Sequence, residues 1–193
     1  MNDFFKPPPR SRYVFEERPR EDWMGPPRAV VPALVPIERL LVQTEDLAVY
    51  LSGCWVYPAG FEFEIFVVAR DEDSDVNPFD VEYELEAQRT GEIPPGKLRL
   101  GLQFADGTSV TNTGGAFAWE WEPGPKPRGP RMSGTHGSRG EGESCQAFWV
   151  WPLPPEGSLE LVYEWPVAGI PLGRTELDAA AIIAAASRAQ VIF

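Results

Sequence analysis

The single histidine, His136, and the two cysteines, Cys54 and Cys145, bound the nucleophilic chemistry open to this chain. A Cys–His unit needs thiol and base held within hydrogen-bond reach by a rigid frame, and the glycines on both sides of His136 work against that for the one candidate pair, His136 and Cys145. One imidazole cannot build a zinc site of several histidines, and two distant cysteines do not make a structural one. Neither a Gly-x-Ser-x-Gly elbow nor a phosphate loop ending in Gly-Lys-Ser/Thr occurs. Carboxylate pairs of the kind used in glycoside hydrolysis cannot be singled out among 29 acidic residues. No catalytic residue, no cofactor-binding residue and no cofactor is therefore assigned.

Three other groupings could bind. Asp71, Asp73, Asp75 and Asn77 alternate as in a calcium loop, with Glu82 in twelfth place. Val76 stands where the sharp bend needs glycine and Pro78 is inserted, so a solvated loop tip is the plainer expectation and these residues are a weak calcium candidate. Trp119/Trp121 and Trp149/Trp151 are spaced i, i+2, which points each pair to one side of a strand: core if buried, a stacking platform for sugar rings if exposed. Residues 123–144 hold six Gly, four Pro and four basic side chains. Such a stretch reads as a long excursion from the fold, with Lys126, Arg128, Arg131, His136 and Arg139 as the candidate partner-binding residues.

The elements that would carry these groups follow from composition and pattern. At 193 residues, 43% hydrophobic and 12% aromatic, the chain can bury one sizeable core without disulfides. Its net charge is -12, and residues 34–122 hold 17 acidic and five basic side chains, which accounts for all of it. An acidic body repels phosphate backbones and anionic headgroups, so nucleic acid and membrane are unlikely partners. No run approaches a membrane span and no signal-like segment opens the chain, so a cytoplasmic protein with two reduced cysteines is expected.

Residues 1–33, with seven Pro, read as a Pro-rich arm, Pro7 to Pro9 favouring polyproline II. From 34 to 193 the pattern is that of a single domain in which apolar residues recur every second position. Leu47, Val49, Leu51 and Trp55 share one face, as do Phe61, Phe63, Ile65 and Val67, and Tyr57 to Gly60 turns between them. Val81, Tyr83 and Leu85 alternate with Glu82, Glu84 and Glu86, an exposed edge strand by this rhythm. Leu98, Leu100, Leu102 and Phe104 lead to the Asp106-Gly107 hairpin, and strands follow at Phe117 to Trp121, Gln146 to Trp151 and Leu159 to Trp165. Cys54 and Trp55 face opposite sides, unlike an immunoglobulin cysteine and its tryptophan. The expected fold is mainly β, an antiparallel β-sandwich of eight or nine strands with one short C-terminal α-helix at about 175–190, where Thr175 and Asp178 resemble a capping box before an Ala-rich run. That helix packs on its own sandwich, or its Ala face joins a second copy in a homo-oligomer.

The run Phe148-Trp149-Val150-Trp151-Pro152-Leu153-Pro154-Pro155-Glu156-Gly157, with Leu159 to Pro166, Gly60 to Phe63 and Phe104 to Gly107, resembles a family of uncharacterised all-β proteins from actinobacteria over residues 34–193. The resemblance implies no activity, cofactor or site residue. A motif of Trp, Pro and Leu supplies shape and burial; Pro152, Pro154 and Pro155 end one strand before Glu156-Gly157 turns the chain.

The functional expectation is a non-catalytic binding or assembly module that engages another protein through the 123–144 segment and the arm. Deleting residues 124–142 should then leave the fold intact. The alternatives are a lectin-like or small-ligand module, calcium-assisted at Asp71 to Asn77, and an enzyme using carboxylates not identified in the sequence.

Overall fold

The computed structural model describes residues 21–74, 77–114 and 126–193. It is mainly β, with antiparallel pairing throughout. In chain order the elements are β1 (Val30–Val31), β2 (Ala33–Gln43), β3 (Leu47–Val56), β4 (Phe61–Ala69), α1 (Val81–Thr90), β5 (Arg99–Phe104), β6 (Ser109–Thr111), β7 (Arg131–Gly140), β8 (Glu143–Trp151), β9 (Leu159–Trp165), β10 (Ile170–Leu177), α2 (Ala179–Ala186) and β11 (Gln190–Val191). A five-stranded sheet, β2-β3-β4-β8-β7, faces a four-stranded sheet, β10-β9-β5-β6. A ribbon of β1 and β11 ties residues near the two ends of the chain together.

The core is the space between the two large sheets. Phe61, Phe63, Ile65 and Val67 line it from one side; Leu98, Leu100, Leu102, Phe104, Leu159 and Leu161 line it from the other. These are the alternating residues of their strands, which is how a pleated strand buries one face. α2 closes one flank with Ala179, Ile182 and Ala185. Between β3 and β4, Gly60 admits no side chain: a Cβ there would stand 2.4 Å from the Val150 carbonyl oxygen and 2.7 Å from the Trp149 ring. The Asp106-Gly107 hairpin is present, with Gly107 at φ 85° and Asp106 Oδ1 accepting from the Thr108 amide at 2.9 Å.

Several expectations are corrected. Val81 to Leu85 begin a helix, α1, and not an edge strand. Asp80 caps it by accepting from the Glu82 amide, and left-handed Gly91 ends it, so local capping decides against the six-residue alternation. Residues 131–140 of the supposed excursion are a strand paired with β8, and the connection beyond is a tight turn at left-handed Gly142. Met132 reaches the core and Ser133 is buried, so this stretch belongs to the sheet and its deletion would remove the sheet's outer strand. The C-terminal helix is shorter than 175–190: Thr175 lies in β10, and Asp178 alone caps α2 by accepting from the Ala181 amide at 2.8 Å.

A register shift between Leu51 and Cys54 turns Trp55 to the outer face and Cys54 to the core, so Trp55 does not share the face of Leu47, Val49 and Leu51. Residues 21–33 of the arm are built into the body: Trp23 is 4% exposed in a short 3-10 turn at 22–24. Pro7 to Pro9, and the strand expected at Phe117, Trp119 and Trp121, lie outside the described residues.

Candidate functional site

Five residues were singled out by sequence for partner binding, and all five lie on β7 or in the segment that leads into it. Lys126 stands over the Trp151 ring at 5.0 Å, and Arg131 over the Trp23 ring at 5.1 Å. Each cation is attracted by the ring's negative face. His136 and Arg139 sit on β7 and are exposed, as is Arg128 before it.

The outer face of the five-stranded sheet explains how these residues are placed. Gly134 pairs with Phe148 and Gly137 with Gln146, so Thr135 and His136 stand together opposite the single residue Ala147. This is a bulge, which redirects side chains locally. Its effect is to bring Thr135 and His136 to one carboxylate. Glu62, on β4, is 6% exposed and accepts the Thr135 hydroxyl proton at Oε1. His136 Nδ1 lies 3.8 Å from the same oxygen and 3.3 Å from Thr135 Oγ1. Gln146 Nε2 donates to the His136 carbonyl at 2.8 Å and fixes the backbone of the bulge.

Beside this group the face is aromatic. Trp149 pairs with Glu62 across β4 and β8 and is fully buried, its ring edge-on to Tyr57 at 5.5 Å. Its indole N–H donates to the Asp22 carbonyl at 3.0 Å. Trp149 is therefore covered by residues 22–24, and Trp151 is half-buried with Lys126 above it. That pair is packing, not an open stacking platform. Trp119 and Trp121 lie outside the described residues.

The remaining candidates are dispersed. Cys145 is joined to Ser138, Sγ to Oγ 3.2 Å, and among the described residues no hydrogen bond links it to His136. Cys54 is buried in the core, and burial pushes its thiol up to about 12. Asp71 Oδ1 accepts from the Asp73 amide at 3.1 Å, whereas Asn77 turns towards α1, donating to Asp80 Oδ2 at 3.2 Å. Asp75 lies outside the described residues, among which no three His, Cys, Asp or Glu side chains converge as for a metal.

Sequence reasoning missed Glu62. Its place between Phe61 and Phe63 puts it on the face opposite the core, but the contact that buries it comes from a bulge some seventy positions later. No protein-family model, curated protein or solved structure matches the chain. Among the described residues no helix is long and apolar enough to cross a membrane.

Proposed function

We propose that the chain is a non-catalytic binding module that takes up an extended, acidic segment of another protein along the outer edge of β7. An outer strand presents unpaired N–H and C=O groups, and added strands use them for affinity while side chains set specificity. The observation that carries this reading is the run from Gly137 to Gly140, in register with β8, exposed, and rich in glycine. Among the described residues nothing lies within 4 Å of a Cβ placed on Gly140, so a second backbone can approach. Lys126 and Arg128, exposed in the segment that leads into β7, give this side of an acidic molecule positive charge, which favours an acidic partner and steers it.

The other outer strands suit this role less. β2 carries Pro36, two register shifts and Glu38 at φ 52°, devices that blunt an edge. β10 has Pro171 as its second residue and a register shift between Ile170 and Gly173, and β6 has three residues. The bonds of Thr135 and His136 to the buried Glu62 hold the β7 bulge in place, so that the edge beyond it is offered as a rigid template.

Selection of random peptides displayed on phage tests this with no natural partner in hand. Enriched sequences should be acidic, should shift the amide resonances of residues 137–140 most, and should bind weakly to a K126E/R128E variant of unchanged melting temperature. Enrichment of basic or neutral peptides, or shifts centred elsewhere, would contradict the reading.

A further inference from the structure

We infer a second site, on the outer face of the four-stranded sheet, for a small monoanion with an apolar body. The outer face of the four-stranded sheet holds a groove of about 350 Å³, within the range of small-molecule sites. Gly101 in the middle of β5 creates it: with Arg99 and Gln103 on either side and no side chain between, the floor sinks to the backbone and to Val162 of β9. A Cβ at Gly101 would stand 3.2 Å from the Val110 carbonyl oxygen and 3.3 Å from the Thr111 methyl carbon, so the cleft cannot be narrowed from its floor without displacing β6.

The lining has two characters. Ile93, Val162 and Leu172 are apolar, and Leu172 is 62% exposed for want of a covering group. The charged part of the lining is two guanidiniums, Arg99 and Arg174, and the carboxylate Glu164.

Both guanidiniums are held in place. Arg99 Nη1 donates to Glu164 at 2.9 Å and Nη2 to the Ile93 carbonyl at 3.2 Å, while its buried Nε has no acceptor among the described residues. Arg174 Nη1 donates to Glu160, which lies outside the lining, at 2.8 Å. A ligand carboxylate completes the hydrogen bonding of these preoriented cations, and its hydrocarbon part covers Val162 and Leu172.

The test uses hexanoate, with hexanol and hexylammonium as the neutral and cationic matches. Titration of the full chain, followed by amide shifts, should give saturable hexanoate binding centred on Gly101, Thr111 and Val162, at least roughly tenfold tighter than either match. R174M, at a half-exposed position, should bring hexanoate down to the affinity of hexanol. R99M should do the same where it folds. Equal affinity for acid and alcohol, shifts centred away from the groove, or no saturation by about 50 mM would overturn the proposal.

Discussion

The indole N–H of Trp149 donates 3.0 Å to the carbonyl of Asp22, a residue 127 positions earlier in the chain. This bond, with Trp23 buried beside it under Arg131, anchors residues 22–24 to the outer face of the five-stranded sheet. Removing the Trp23 side chain should therefore cost about 3 kcal/mol, the lower end for truncating a buried large aromatic. Urea unfolding of W23A against the parent chain measures it. A loss near zero would show that these residues merely lie on the surface.

The two thiols should differ sharply in reactivity. Cys145 is partly exposed, whereas Cys54 is in the core with its thiol pushed up to about 12 by burial, and the thiolate is the reacting form. Ellman's reagent on the folded protein should label Cys145 alone, and Cys54 only after urea is added. Rapid labelling of both would mean that the sheet opens at β3.

Lys97 is almost fully buried, paired with Glu84 of α1, and burial pulls its ammonium down to about 8 despite that partner. The folded value lies below the unfolded one near 10.5. Between pH 8 and 10.5 the unfolded chain thus binds more protons, and stability from this group rises with pH across that window. The urea midpoint of the parent chain relative to K97M should increase from pH 7 to pH 10. A decrease would mean that attraction to Glu84 outweighs desolvation.

Asp178 satisfies the first turn of α2, which brings Ile182 and Ala185 into the core. D178A should lower stability by about 1 kcal/mol, as loss of a side-chain N-cap does. T175A should change it little, because Thr175 lies in β10. Equal effects at the two positions would favour the longer helix suggested by the Thr175-to-Asp178 spacing.

What was legible in the sequence is the part in which each strand buries one face. Phe61, Phe63, Ile65 and Val67, and Leu98 to Phe104, alternate without interruption and lie where that rhythm puts them. Trp55 was misplaced because a register shift moves a residue across the sheet and leaves no mark in composition. The Val81 to Glu86 stretch satisfied two periods at once: Val81 and Leu85 are also i, i+4 neighbours, and Asp80 and Gly91 were the signals that resolve the ambiguity. β7 was hidden because glycine, serine and threonine carry little hydrophobic pattern. Its order comes from backbone pairing with β8, and Met132 alone reaches the core. The same pairing puts Arg131, His136 and Arg139 on one strand, and drew in Glu62, which nothing distinguished among 29 acidic residues.

Amide hydrogen exchange along Arg131 to Gly140, with and without a selected acidic peptide, tests the binding reading most directly. In the free protein the amides directed at β8 should be protected and the outward ones should exchange fast; with the peptide bound, the outward amides of residues 137–140 should slow by roughly tenfold or more. Exchange unchanged by the peptide, or uniformly fast along β7, would contradict the account.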